Sequence, residues 1–283
     1  NQYQIEARSY DRTGRFSTAY STITTIYDNV APISTMTWPA EGTVFVSSLP
    51  FITGNMVDRT NATGYNASSR IVSVELQIRD ISNGRGYWRS SNKSWDTVTP
   101  RTITLDQQSI YVSSFMRVAS SDDLPSQNNG GLVSGSSYYV TASATDLADD
   151  GANTEPFNIK GSTFSVDYSS PESTVALTHL STYSALTFIS GASVDKPDGA
   201  GQVNAGISSV KLKIQRLTGE TSTYFGGASG SDWYTDETFI STSPGWGYSS
   251  MPTWAHNTRY VISAKGLDAI NNQETAFDYT GYT

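Results

Sequence analysis

The sequence predicts an all-β protein built from antiparallel β-sandwiches in series. Three observations carry that expectation. First, one pattern occurs nearly three times: Tyr3-x-Ile5-x-Ala7-x-Ser9-x-Asp11, Tyr138-x-Val140-x-Ala142-x-Ala144-x-Asp146 and Tyr260-x-Ile262-x-Ala264-x-Gly266-x-Asp268. Successive copies start 135 and 122 residues apart, each about the length of a domain. Second, apolar and polar residues alternate strictly along Val72–Arg79 and Ser209–Gln215, as in strands with one face on a core and one in water. Third, the chain is rich in Ser, Thr, Gly, Asn and Tyr and only 16% charged. Tyr and Thr suit pleated strands, and Gly, Asn, Asp and Ser suit turns. No heptad or amphipathic helical run of useful length is present.

Taken in order, the Tyr3 strand leads into a turn around Asp11-Arg12-Thr13-Gly14 and a second strand from Phe16 to Ile26. This hairpin, residues 1–27, reads as the tail of an incomplete upstream module. Asp28-x-x-x-Pro32 then opens a full module, 28–167, and Asp167-x-x-x-Pro171 opens another, 168–283. Proline fixes φ and keeps the preceding residue extended, so these junctions are expected to resist bending and to set the modules end to end. Within the modules, Phe51-Ile52-Thr53-Gly54 and Asp58 match Phe188-Ile189-Ser190-Gly191 and Asp195. Val74-x-Leu76-x-Ile78 matches Val210-x-Leu212-x-Ile214 and supplies the predicted core. Asn153-x-Glu155 and Asn272-x-Glu274 close the two copies. The half-wet alternation suits antiparallel sheets packed face to face rather than a parallel sheet buried on both sides.

Net charge −8 leaves no basic stripe to displace phosphate counterions, so nucleic acid is not an expected partner. No apolar stretch approaches the length of a membrane span. Cysteine is absent, which removes disulfides and thiolate chemistry. The lack of an initiator Met and of a leader is read as a processed chain or a fragment.

The Tyr-x-aliphatic strand resembles the penultimate strand of immunoglobulin-like and fibronectin-like sandwiches. That resemblance implies a Tyr hydroxyl tied back to the preceding corner. More narrowly, the Ala-x-Asp…Asn-x-Glu closure, the Asp-x-x-x-Pro linker and the aromatic run Tyr224-Phe225, Trp233, Trp246 and Trp254 are similar to tandem Ig-like repeats of large bacterial surface proteins. The first full copy departs from the run: it keeps Tyr87-Trp88 and Trp95, but its 96–136 segment is longer and lacks a later Trp. The resemblance implies an extracellular or cell-surface location, with neighbouring modules or identical subunits as partners.

Two kinds of site are expected. Asp146, Asp149 and Asp150 are candidate Ca²⁺ ligands on one loop, as are Asp58 and the boundary residues Asp28 and Asp167. Calcium takes several carboxylate and carbonyl oxygens, which loops at sandwich ends supply. The plainer alternative is that these residues make turns through local hydrogen bonds. Trp246 and Trp254 are candidate glycan contacts, because sugar rings stack on exposed aromatic faces. Here the plainer alternative is that they fix the sandwich ends. His179 and His256 are the sole histidines and form no ligand or triad spacing, so no enzyme is expected. Asn61, Asn66 and Asn92 begin formal glycosylation sequons, expected to be unused if the source is bacterial. The function expected is therefore a stalk, shaft or filament segment of a surface protein, adhesin-like in kind. The alternative is a carbohydrate-binding module on an adhesin or secreted enzyme.

Overall fold

Strands dominate the computed structural model of the chain, which describes residues 2–45, 48–58, 71–105, 110, 113–118, 123–148, 151–157, 160–178, 181–219, 221–228 and 230–275. Among the described residues there is no α-helix, and one short 3-10 turn spans Ser90–Asn92. The protein is all-β, as expected. Among the described residues no helix is long and apolar enough to cross a membrane.

The leading hairpin pairs β1 (Gln2–Ala7) with β2 (Ser21–Ile26), from Gln2 opposite Ile26 to Ala7 opposite Ser21. The second strand is shorter than expected. It begins at Ser21 because the Ser17 hydroxyl donates to Ala19 O and turns the chain, leaving Phe16 in an isolated bridge with Tyr10. Tyr3, Ile5 and Ile23 share one face of the hairpin and are 48%, 56% and 62% exposed.

The chain divides into two compact units. The first comprises Asn1–Thr43, Leu49–Gly131 and Tyr138–Phe164, so the hairpin groups with it. The second comprises Val44–Ser48, Leu132–Ser137 and Ser165–Thr283.

In the first unit, β3 (Ile33–Trp38), β5 (Phe51–Val57) and β10 (Ser114–Val118) form one sheet in the order β10-β5-β3. A short strand, β4 (Thr43–Phe45), follows β3. The larger sheet contains β4 together with β6 (Ile71–Asp80), β7 (Gly86–Arg89), β8 (Ser94–Asp96), β9 (Ile103–Thr104), β11 (Ser136–Asp146) and β12 (Gly161–Val166). Its order is β4-β12-β11-β6-β7-β8, with β9 also on β6. In the second unit, β13 (Glu172–Val175), β14 (Ile189–Val194) and β19 (Gly247–Tyr248) form one sheet. The other joins β15 (Ile207–Thr218), β16 (Thr221–Phe225), β17 (Trp233–Tyr234), β18 (Ile240–Thr242) and β20 (Arg259–Asp268).

The strands matched by sequence pair identically. Leu76 and Ile78 of β6 lie opposite Ala142 and Val140 of β11. Leu212 and Ile214 of β15 lie opposite Ala264 and Ile262 of β20. All six predicted core residues, Val74, Leu76, Ile78, Val210, Leu212 and Ile214, are buried. In the second unit the core draws Val175 and Ile189 from one sheet and Val210, Leu212, Ile214, Phe225, Ile262 and Ala264 from the other. Burial on this scale is what drives two amphipathic sheets together.

The polar faces of these strands are wet only in part, which corrects the simple alternation read from sequence. Thr141 and Ser143 are buried because the chain after β11 returns over them. Ser143 donates to Glu155 O, and Thr141 lies 3.5 Å from Lys160 O. Lys213, on the polar face of β15, is 3% exposed and pairs with Glu237 at 2.9 Å.

The glycine of the repeated Phe-Ile-x-Gly element also has a packing reason. A Cβ on Gly54 would collide with the Phe115 ring and Thr35 O, and one on Gly191 with the Trp246 ring and Thr174 O. In both units an aromatic ring lies where a side chain would be.

Candidate functional site: two aspartate triads

The repeated aspartates converge. In the first unit Asp28, Asp58 and Asp146 each present a carboxylate oxygen, and these oxygens lie within 4.8 Å of one another. In the second unit Asp167, Asp195 and Asp268 do the same. These are the positions paired by sequence matching: Asp28 with Asp167, Asp58 with Asp195, Asp146 with Asp268. Each triad draws one residue from the stretch before β3 or β13 and one from just past the end of β5 or β14. The third comes from the end of the Tyr-containing strand.

Asn153 and Asn272 brace the triads in the same way. Asn153 N and Nδ2 donate to the two carboxylate oxygens of Asp146 at 2.7 and 3.0 Å, and Nδ2 also reaches Asp28 O at 3.3 Å. Asn272 N and Nδ2 donate to those of Asp268, both at 2.7 Å, and Nδ2 reaches Asp167 O at 3.4 Å. Two residues on, Glu155 accepts from Ser34 N at 2.8 Å and Glu274 from Ser173 N at 2.7 Å. The Asn-x-Glu closure thus fastens the turn after the Tyr strand to the start of β3 in the first unit and of β13 in the second.

The second triad is the more enclosed: Asp167, Asp195 and Asp268 are all buried. Asp167 accepts from Ser134 Oγ, Ser169 N and Ala205 N at 3.2, 3.0 and 2.7 Å. Asp195 accepts from Lys196 N at 3.0 Å and Gly206 N at 2.6 Å. Burial, and then the charges of Asp167 and Asp268, push the Asp195 carboxyl above its ordinary value, against the opposing pull of the Gly206 and Lys196 N–H groups. Carboxylates at this spacing repel by on the order of 3 kcal/mol per pair at an effective dielectric near 20. The N–H donors favour the charged forms, and buried like charges need a compensating cation or proton.

An all-oxygen set of three carboxylates is the donor chemistry of a hard divalent cation, and Ca²⁺ fits it. The residues that would hold it are Asp28, Asp58 and Asp146 in one unit and Asp167, Asp195 and Asp268 in the other. A bound cation would supply positive charge at the point where the three chain segments meet.

Of the single-loop calcium set, Asp146 joins a triad with Asp28 and Asp58, while Asp149 and Asp150 lie outside the described residues. Among the described residues, the carboxylates grouped with Asp146 come from distant segments of the chain. Asp195 and Asp268 were not foreseen as ligands; the signal that finds them is the repeat alignment itself. His179, Asn61 and Asn66 also lie outside the described residues.

The aromatic candidates are placed as packing residues. Trp246 is 2% exposed and belongs to the core, so its ring offers no face to a sugar. Trp254 is half-buried, donates from Nε1 to Leu186 O at 2.8 Å and meets the Tyr260 ring edge-on at 4.7 Å. Tyr260 OH accepts from Ala255 N at 2.8 Å. The Tyr138 hydroxyl accepts from Arg85 at 3.0 Å.

The sequence matches no protein-family model, and no characterised protein is significantly similar to it.

Proposed function

We propose that the chain is a structural segment of a large extracellular or cell-surface protein, a stalk, shaft or filament of adhesin-like kind. In this reading 28–167 and 168–283 are tandem Ig-like sandwiches set end to end, each locked by Ca²⁺. The observation that carries it is the recurrence of one bracing network, triad plus Asn-x-Glu, at sequence-matched positions in both units. A network repeated in this way serves the integrity of each unit. Reaction centres seldom recur as degenerate tandem copies, and the matched acidic residues here hold the chain segments together. Partners in this reading are further modules or identical subunits.

The test combines scattering with calcium dependence. Residues 1–283 in millimolar Ca²⁺ should scatter as an elongated particle and melt at a higher temperature than in chelator, since a ligand bound only to the native state stabilises it. A globular particle with one melting temperature in both conditions would overturn the proposal. Glycan-array binding lost on Trp254→Ala would instead favour the carbohydrate-binding module.

A further inference from the structure

Two Asn-Gly dipeptides occur in the chain, Asn83-Gly84 and Asn129-Gly130, and the fold holds them differently. Asn83-Gly84 sits in the turn between β6 and β7 with both residues exposed, and Gly84 has φ 65°. The Asn83 side chain stands beside the Asp80 carboxylate, with Nδ2 3.4 and 3.3 Å from its two oxygens. Asn129 is half-buried and its carboxamide is clamped at both ends. Nδ2 donates to Leu124 O at 2.8 Å, and Oδ1 accepts from the N–H groups of Ser126 and Gly131 at 2.9 and 3.0 Å.

We propose that Asn83 is a site of spontaneous deamidation in the folded protein, and that the fold protects Asn129 from the same reaction. The Gly84 backbone nitrogen, giving up its proton to hydroxide, attacks Cγ of Asn83. A new N–Cγ bond forms, the Cγ–Nδ2 bond breaks, and ammonia leaves with a proton from water. Water then opens the resulting succinimide at either of its carbonyls, giving aspartate or isoaspartate. No oxidation or reduction occurs, and water is the sole co-reactant. Glycine at the following position leaves the attacking nitrogen unshielded by a side chain. For Asn129 the same attack must first turn the carboxamide out of three short hydrogen bonds.

The product changes a structurally important corner. Asp80 is buried and ion-paired with Arg85, which also donates to the Tyr138 hydroxyl and to Gly131 O. Deamidation sets a second carboxylate beside Asp80 in competition for that arginine. Isoaspartate also lengthens the backbone of a turn that closes at Gly86, where even a Cβ would collide with Asp96 O. The β6–β7 corner should therefore loosen as the protein ages.

The test is to age the intact chain at mildly alkaline pH and map isoaspartate by peptide mass spectrometry. Asn83 should convert at least about tenfold faster than Asn129 while the chain is folded, because the hydrogen bonds on Asn129 add to its barrier. In urea the two rates should converge. Equal rates in the folded chain, a faster Asn129, or no conversion of Asn83 while the unfolded chain reacts at both positions would each overturn the proposal. Asn83→Gln and Asn83→Ser should both remove the fast isoaspartate signal; its persistence in either variant that retains the parent melting temperature would also overturn it.

Discussion

Asp195 carries two opposed demands. Its carboxylate accepts two backbone N–H groups, yet it faces Asp167 and Asp268 across a buried space. Asp195→Asn removes one charge from the triad while keeping the side-chain shape. In chelator the variant should melt at or above the parent temperature, and it should lose the calcium-dependent rise of the second unit. Calorimetry in both conditions reads the two effects separately, and an undiminished calcium response would exclude Asp195 as a ligand. Gly191 makes a steric demand instead. Gly191→Ala should cost about 1–3 kcal/mol, because the new methyl meets Trp246 and the Thr174 carbonyl. Urea denaturation would show a lower midpoint with an unchanged slope. Asp96 contributes to acid behaviour in the first unit. Hydrogen bonds from Thr99 N, the Arg101 guanidinium and Val98 N hold its carboxyl well below the usual carboxylate range. A depressed folded-state value contributes stability that is present above the unfolded value, near 3.9, and is lost as pH falls toward the folded one. The gap in urea midpoint between the parent and Asp96→Asn should therefore be full at neutral pH and shrink below about pH 4. A constant gap down to strongly acid pH would contradict this assignment.

At the scale of elements, the closing turns do most to define each unit. Asn272 bonds Asp268 and the Asp167 carbonyl, and Glu274 bonds Ser173 N and Gly266 N. Asn272→Ala should cost about 1–3 kcal/mol, since buried acceptors lose their donor. Amide exchange should accelerate at Ser173 and its neighbours, and unchanged exchange there would show that the brace is dispensable. These elements differ in how legible they were. The Tyr strands and their partners β6 and β15 could be read because their apolar residues alternate and their copies share one register. The buried polar faces could not, because their cover comes from elsewhere in the chain: Glu155 O over Ser143, and Glu237 on Lys213. The triads lay between these cases. Each aspartate was visible as a repeated position, but only chain register brings Asp28, Asp58 and Asp146 together. Composition pointed instead to the nearest acidic run, on one loop. Trp246 was misleading for a related reason, since an aromatic residue in a polar stretch reads as exposed until the glycine beneath it is recognised.

For the whole molecule, the two triads place six carboxylates of an already acidic chain in two small volumes. Millimolar Ca²⁺ should raise the melting temperature of both units, whereas monovalent salt at equal ionic strength should not, because screening acts weakly on buried charges. Equal protection by sodium chloride would assign the effect to surface charge. The bracing network has a further consequence for descent. The triad and Asn-x-Glu side chains of the first network lie between Asp28 and Glu155, and those of the second between Asp167 and Glu274, with Ser134 from the preceding span adding one hydrogen bond to Asp167. A gene segment that encodes one such span carries its three aspartates and its Asn-x-Glu closure with it. Under the proposed reading, unequal recombination can lengthen or shorten the shaft by whole modules. Each new copy arrives able to close itself, and selection on shaft length can act without disturbing the fold of any single module.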